Sequence, residues 1–230
     1  MLIIVPLAGP DFILPDGTVK ATQTFCNGHL LHKILNSRPW ATRVRSEKYV
    51  FVLIDRRETR SFASSYLEAW FPGAKVVFLS AITRGSAVSA LGGMTAYASA
   101  EEPVIVDLAD IQYSSDLDPE ALFAQEENCG GVALTFDSAN PVYSYLRCDA
   151  DGTFVEAAEK RVISKNASAG TYIFSGASVF LRAIAHAMEN EATQTYNGLF
   201  FVCPLFNGVR AQGKTVSLSQ VRDVIDVKVT

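Results

Sequence analysis

The chain has 230 residues, of which 49% are hydrophobic and 19% are charged, and its formal net charge at pH 7 is −4. This length and apolar content suffice for one substantial core, so we expect a single domain over residues 1–230. The acidic balance excludes the basic stripe that binds a nucleic-acid backbone, and no apolar run approaches the roughly 20 residues that span a bilayer. We therefore expect no nucleic-acid partner and no membrane partner.

The N-terminal residues and the cysteines bear on the location of the protein. The start of the chain lacks the basic and long apolar regions of a signal peptide. The four cysteines are widely scattered and show no zinc-type spacing. We expect a cytoplasmic protein, and its low charged fraction is compatible with a homo-oligomer.

Strand and helix patterns alternate through the first half of the chain. Short apolar runs predict buried strands at 2–7, 49–54, 75–79 and 103–107. Apolar residues at helical spacing predict helices at 29–35, 60–70 and 86–97. Such regular alternation predicts a parallel sheet that is covered by helices on both faces.

The second half of the chain has a different pattern. Turn residues separate short strand-like runs at 131–136, 143–147 and 154–157, which predicts antiparallel pairing. We further expect a strand at 169–174, a helix at 177–190, and two strands around Thr215 and Val224. The expected fold class is α/β, a single-domain, Rossmann-like mixed sheet with helices on both faces.

The loops beyond the carboxyl ends of the strands are the candidate site, because open α/β sheets bind their ligands there. In the loop that runs from the first strand to Lys20, Gly9 would let the backbone approach a phosphate; a tight turn is the alternative. Backbone N–H groups around Gly85 could receive a base or ribose, and the alternative is that Ser86 caps the following helix.

Two further loops carry charged side chains. Asp110 follows a buried strand, with Asp107 three residues earlier. A carboxylate in this place suits a magnesium ion, and the alternative is that Asp110 caps a turn. Glu159 and Lys160 could bind a sugar hydroxyl and a phosphate, respectively, and the alternative is a solvated surface pair.

Taken in chain order, these segments have a family resemblance. They read Ile3-Ile-Val-Pro-Leu-Ala-Gly9, Lys20, Asn27-Gly-His-Leu-Leu31, Thr83-Arg-Gly85, Val104-Ile-Val-Asp-Leu-Ala-Asp110, Ala158-Glu-Lys160 and Ala169-Gly-Thr-Tyr-Ile-Phe174. The series resembles the sugar-1-phosphate nucleotidyltransferases over nearly the whole chain, and it is most similar to members linked to capsule and lipopolysaccharide synthesis. The resemblance implies the GT-A-like nucleotide-diphospho-sugar transferase fold.

The resemblance also implies a reaction and a role for each matching residue. A nucleoside triphosphate would be joined to a sugar 1-phosphate or a similar small phosphorylated acceptor, with release of pyrophosphate. Residues 1 to about 115 would form the nucleotide-binding half, and residues from about 116 to 230 the acceptor-binding half. The implied nucleotide-binding residues are Leu7, Ala8, Gly9 and Gly85, and the implied acceptor-binding residues are Glu159, Lys160 and Gly170. Lys20, Asp110 and Lys160 would be catalytic, and Asp110 with Asp226 would hold Mg²⁺ as the cofactor.

Departures from the family pattern keep two other functions open. The usual Gly-x-Gly-x-Arg loop is replaced by Ala8-Gly-Pro-Asp-Phe12, which lacks the second glycine and the arginine and adds a negative charge. A catalytically degenerate nucleotide or sugar-nucleotide binding protein of the same fold is therefore the alternative. A glycosyltransferase of the related fold is the third candidate, since Asp116-Leu-Asp118 and Asp149-Ala-Asp151 have Asp-x-Asp spacing, although both suit a turn or a helix start better.

Overall fold

The computed structural model describes residues 1–96 and 98–227 of the chain. No helix in these ranges is long and apolar enough to cross a membrane. The strands are β1 (Leu2–Pro6), β2 (Thr24–Phe25), β3 (Gly28–His29), β4 (Tyr49–Ile54), β5 (Lys75–Leu79), β6 (Val104–Asp107), β7 (Ile111–Ser114), β8 (Cys129–Asp137), β9 (Tyr145–Cys148), β10 (Phe154–Ala158), β11 (Asn166–Phe174), β12 (Thr215–Gln220) and β13 (Arg222–Asp226). The helices are α1 (Leu30–Asn36), α2 (Arg57–Phe62), α3 (Glu68–Trp70), α4 (Ser86–Gly93), α5 (Pro119–Gln125), α6 (Ala177–Glu189), α7 (Glu191–Gln194) and α8 (Leu205–Ala211).

Over the described residues, the central sheet has nine strands. Seven of them follow the order β10-β9-β11-β6-β1-β4-β5, and β8 pairs with β11 and with β12 outside this path. β6, β1, β4 and β5 run parallel, as the alternation of strands and helices predicts. β11 runs antiparallel to β6, β8 and β9, but β12 is parallel to β8, so the second half of the chain is not purely antiparallel.

The sheet is covered on both faces, which confirms the expected fold class. Successive side chains of a strand point to opposite faces, and β1 shows this clearly. Leu2 and Ile4 pack into one hydrophobic cluster with residues of α4, α6 and α8, whereas Ile3 and Val5 pack into a second cluster with residues of α1 and α2. Both clusters consist mainly of buried aliphatic and aromatic side chains. A buried strand such as β1 therefore contributes alternate side chains to the two layers of the core.

Several elements differ from their predicted bounds. The helix predicted at 60–70 begins earlier, with α2, and continues through a π-helical turn at Ala63–Leu67 into α3. The helix predicted at 86–97 is α4 followed by a 3₁₀ turn at Met94–Ala96, and its last predicted residue lies outside the described ranges. The short elements β2, β3, β7, α5, α7 and α8 were not predicted.

One strand pair brings the two halves of the sequence together. β11 lies beside β6 with Thr171 opposite Asp107, and the N–H of Leu108 donates to the carbonyl of Gly170 over 2.9 Å. The middle of β11 therefore passes the carboxyl end of β6, where the sequence places Asp110. Whether residues 1–115 and 116–230 divide the binding of two substrates stays a prediction.

Candidate active site

A cleft of about 510 Å³ opens beyond the carboxyl ends of β1 and β6. Nine of the ten residues predicted for the site line it: Leu7, Ala8, Gly9, Lys20, Gly85, Asp110, Glu159, Lys160 and Gly170. The tenth, Asp226, lies at its wall, where it accepts a hydrogen bond over 2.7 Å from the hydroxyl of Tyr143, a lining residue. Segments that are far apart in the sequence therefore meet at one cleft, although the role of each residue stays a prediction.

The backbone segments that carry Asp110 and Asp226 are joined by strand pairing. β13 runs antiparallel to β7 with Asp226 opposite Ile111, and the N–H of Val227 donates to the carbonyl of Asp110 over 3.3 Å. Asp110 leads directly into strand β7 rather than into a turn. Burial raises the pKa of Tyr143, and its hydrogen bond to the Asp226 carboxylate raises that pKa further, so the phenol stays a proton donor near neutral pH.

The donor set at this wall fits a magnesium ion. Mg²⁺ usually takes one or two carboxylates and completes its shell with water and substrate phosphate oxygens. Gly170, at φ +74°, leaves room beside Asp110, since an added Cβ would lie only 2.7 Å from Asp110 Oδ1. Among residues 1–96 and 98–227, no three or more His, Cys, Asp or Glu side chains are grouped so that they could hold a metal ion. A Mg²⁺ site does not require such a group, because one or two carboxylates suffice.

Asp107, the other carboxylate of this loop, does not face the cleft. Its side chain is fully buried and accepts hydrogen bonds from Arg38 Nε over 2.6 Å and from Arg38 Nη2 over 2.9 Å. Burial alone would lower the pKa of Arg38, but the charge and hydrogen bonds of Asp107, together with Tyr113 and Asp110, raise that pKa. Asp107 is therefore half of a buried ion pair and not a second metal ligand.

Lys20 and the first loop form the next part of the wall. The Lys20 N–H donates to the carbonyl of Phe12 over 2.9 Å, which fixes the lysine against the loop. Lys20 Nζ lies 3.8 Å from Asp11 Oδ2, and the side chains are 24% and 73% exposed, respectively. Asp11, the acidic residue that departs from the family pattern, is thus mostly exposed to solvent and lies within ion-pair distance of Lys20, the lysine expected to face the nucleotide phosphates.

Gly85 lines the cleft, but the chain itself requires a glycine at this position. Its φ is +103°, and an added Cβ would lie 2.3 Å from the carbonyl oxygen of Phe200. Gly85 is also the residue that precedes α4, so Ser86 is the first helical residue and not the cap that the alternative supposed. Thr83 Oγ1 lies 2.7 Å from Ser89 Oγ, and both residues face the cleft.

Beneath Glu159, hydroxyl groups form a hydrogen-bonded floor. The Ser144 hydroxyl donates to Glu159 Oε2, the Ser168 hydroxyl donates to the Tyr172 phenol over 2.9 Å, and the Gly170 N–H donates to Ser168 Oγ over 3.1 Å. Lys160 is exposed at the edge, with Nζ 5.6 Å from the centre of the Tyr196 ring. Glu159 is therefore held in place, in contrast to a solvated surface pair.

Apolar side chains stand at the rim of the cleft. Ile82, Val142 and Leu199 line it and are 59%, 41% and 38% exposed, respectively. Exposed large apolar groups that gather at one cleft mark a binding surface. This rim suits a ligand that carries an apolar face as well as charge.

Sequence reasoning missed Ser168 and Tyr172, although a signal for them was present. They lie two residues on either side of Gly170 in β11, and the alternation of a strand places all three on the same face. The positions two residues before and two residues after the predicted Gly170 are these two residues.

The two Asp-x-Asp segments lie outside the cleft. Asp118 caps α5 by accepting the N–H groups of Glu120 and Ala121, and Asp116 pairs with Arg222 over 2.6 Å. Asp149 accepts the N–H groups of Asp151 and Thr153 in a turn. These aspartates serve local structure, as their surroundings in the sequence suggested.

Gly170→Ala should cost more stability than Gly152→Ala. Both glycines have left-handed φ angles, +74° and +82°, but an added Cβ at Gly152 meets nothing within 4 Å. We expect Gly152→Ala to lower the free energy of unfolding by about 1–2 kcal/mol for the backbone alone. Gly170→Ala should lower the free energy of unfolding by more, because its Cβ would also press on the Asp110 side chain. Urea unfolding measures both, and equal losses would contradict this account of Gly170.

No family model matches the chain, and no curated protein matches its sequence. Among solved structures, it is similar to a nucleoside-diphosphate-sugar pyrophosphorylase from Vibrio cholerae RC9, with a TM-score of 0.82 and 18% identity over 98% of this chain and 95% of that one. It is also similar to a UDP-glucose pyrophosphorylase complexed with UDP-glucose, with a TM-score of 0.67 and 17% identity over 96% and 92% of the two chains. An inositol-1-phosphate CTP transferase from T. maritima gives a TM-score of 0.65 and 13% identity over 97% and 86%. At these identities the likeness concerns architecture, and the chain has the GT-A-like fold of these nucleotidyltransferases.

Proposed function

We propose that the protein is a magnesium-dependent nucleotidyltransferase that joins a nucleoside triphosphate to a sugar 1-phosphate or a similar small phosphorylated acceptor. The observation that carries the proposal is the meeting of Lys20, Asp110 and the Glu159-Lys160 pair at one cleft of this fold. Such a reaction needs a cationic side chain for each of the two phosphate-bearing substrates, and it needs a carboxylate that can bind the metal ion.

The reaction forms one bond and breaks another at the same phosphorus. A phosphate oxygen of the acceptor attacks the α-phosphorus of the triphosphate, and the bond from that phosphorus to the oxygen bridging to the β-phosphate breaks. Pyrophosphate leaves with the electron pair. The nucleophile is already anionic near pH 7, so the protein needs no general base and contributes positioning and charge stabilisation.

The side chains of the cleft supply these two contributions. Lys20, fixed against the first loop, would face the triphosphate, and Lys160 would bind the acceptor phosphate from the opposite side. Glu159, held by Ser144, would accept hydrogen bonds from acceptor hydroxyls. Asp110 and Asp226 would hold Mg²⁺, which when bound offsets the negative charge that gathers on the phosphates.

Pyrophosphate release tests the proposal directly. The four common ribonucleoside triphosphates and dTTP are combined with a panel of sugar 1-phosphates and other small phosphate esters, with Mg²⁺ and with EDTA. We expect at least one pair to release pyrophosphate in Mg²⁺ and none in EDTA. If no pair releases pyrophosphate in Mg²⁺, the proposed catalytic function is wrong.

Asp110→Asn should lower turnover by about 100-fold or more, because it removes a charge from the phosphate-facing carboxylate while keeping its shape. Asp116→Asn is the matched control, since Asp116 is an exposed aspartate that pairs with Arg222 away from the cleft. Steady-state kinetics in Mg²⁺ and circular dichroism measure activity and folding. Wild-type turnover in Asp110→Asn would remove Asp110 from the metal site.

Lys160→Ala should raise the KM for the acceptor by about 10- to 150-fold, which corresponds to one charge-assisted hydrogen bond. The KM for the triphosphate should change much less, because the lysine lies on the Glu159 side of the cleft. Lys165→Ala removes an exposed lysine that does not line the cleft and serves as control. Equal changes in both KM values would show that Glu159 and Lys160 are a solvated surface pair and do not bind the acceptor.

A second candidate, a binding protein that has lost catalysis, is favoured by the first loop. Asp11 places a carboxylate beside Lys20, and the loop lacks the second glycine and the arginine of the family pattern. Such a protein would bind a nucleotide in this cleft without releasing pyrophosphate. Binding without turnover in the same panel would therefore favour this candidate.

Asp11→Ala should tighten triphosphate binding by about two- to five-fold, because a solvent-screened repulsion is removed and Lys20 is released. Asp16→Ala is the control for net charge, since Asp16 is exposed on the same segment and does not line the cleft. Calorimetric titration at low and at high salt measures the effect, which should shrink as salt rises. Weaker magnesium-dependent binding would show instead that Asp11 helps to hold the cation.

A further inference from the structure

A buried ion pair lies behind the loop that carries Asp110. Arg38 and Asp107 form two parallel hydrogen bonds, of 2.6 and 2.9 Å, and both side chains are fully enclosed. Taking two charges out of water is costly, and apolar residues of similar volume often stabilise a core equally well. The pair therefore calls for an explanation other than stability.

The ion pair holds the backbone on both sides of Asp110. Asp107 Oδ1 accepts the N–H of Ala109 over 2.9 Å, and Arg38 Nη2 donates to the carbonyl of Ile111 over 3.1 Å. The residue before Asp110 and the residue after it are thus bound to one rigid unit. Because Arg38 is bidentate to Asp107, neither contact can shift without the other.

Ala109 has a conformation that needs such a contact. Its φ is +51°, in the left-handed region that residues with a Cβ seldom adopt. The hydrogen bond from its N–H to Asp107 favours this conformation over the extended one. The direction of the next side chain, that of Asp110, depends on this backbone turn.

The ion pair is also tied to the opposite strand. The Arg38 guanidinium lies 4.0 Å from the centre of the Tyr113 ring, and the Tyr113 hydroxyl donates to Thr171 Oγ1 over 2.8 Å. Thr171 follows Gly170, the glycine that leaves room for the Asp110 carboxylate. The same buried group therefore fixes the loop that carries Asp110 and the strand that faces it.

We infer that Arg38 and Asp107 are positioning residues that aim the Asp110 carboxylate at a divalent cation in the cleft. This inference rests on the proposed function, in which Asp110 is a metal ligand. Neither residue lines the cleft, so both act through the Ala109–Ile111 backbone. Partners of this kind typically change metal affinity or activity by about 10- to 100-fold when they are removed.

The test separates positioning from stability by replacing both charges together. The double variant Arg38→Met, Asp107→Leu leaves no unpaired buried charge, so its thermal unfolding should stay close to that of the wild type. Its affinity for Mn²⁺, measured by calorimetry and by electron paramagnetic resonance on the full chain, should fall about tenfold or more. The Mg²⁺ concentration that gives half-maximal turnover should rise in parallel.

Addition of Ala109→Gly to the double variant provides the rescue. Glycine adopts a positive φ without steric cost, so it should recover a large part of the lost Mn²⁺ affinity. Ala109→Gly in the wild-type background measures what the glycine does by itself, and its effect should be smaller than in the double variant. This difference is one that a merely structural role of the pair would not produce.

Three outcomes overturn the inference. The double variant could bind Mn²⁺ as the wild type does, the glycine could give no rescue, or the wild type itself could bind no Mn²⁺. If only the proposed function fails, the wild type binds Mn²⁺ and loses affinity in the double variant, yet no substrate pair releases pyrophosphate. Should the double variant unfold, the neutral polar pair Arg38→Gln, Asp107→Asn with and without Ala109→Gly gives the same comparison, because it also leaves no unpaired buried charge.

Discussion

The pairing of β11 with β6 is the constraint on which the cleft depends. Without it, the parallel strands of the first half would present Lys20 and Asp110 but no opposite wall. The antiparallel passage of β11 sets Gly170 beside Leu108 through a backbone hydrogen bond and so brings the Glu159 side of the cleft to the Asp110 side. The proposed reaction between two anions needs both walls at once, because each anion must be held while the other approaches.

The sequence was informative where a single physical requirement determined the residue. A fully buried parallel strand demands a continuous apolar run, and β4 was therefore predicted to the residue. The edge strand β5, which is only partly buried, was also predicted to the residue from its apolar run. Nine of the ten predicted site residues line the cleft. Six of them lie in segments that follow the parallel strands β1, β5 and β6, which meet at one edge of the sheet, whereas Glu159, Lys160 and Gly170 follow β10 or lie within β11. The position of Asp226 could not be derived in this way, since it depends on the register of the short strands β7 and β13.

Other features could not be predicted, because they depend on contacts between distant residues. Asp107 and Asp110 look alike in the sequence, yet one is buried against Arg38 and the other faces the cleft. Gly85 and Gly170 likewise look like contacts for a ligand. The structure shows that Gly85 is required by the Phe200 carbonyl and that Gly170 makes room for Asp110. The packing of the chain itself can therefore account for a glycine that looks like a ligand contact in the sequence.

The apolar rim of the cleft has a thermodynamic consequence. The side chains of Ile82, Val142 and Leu199 are large, apolar and exposed. A ligand that covers them removes this surface from water, and burial of apolar surface lowers the heat capacity of the system. The enthalpy of such binding therefore becomes more favourable as the temperature rises. With the proposed phosphate ligands, binding would join an ionic contribution that weakens with salt to an apolar one that responds chiefly to temperature.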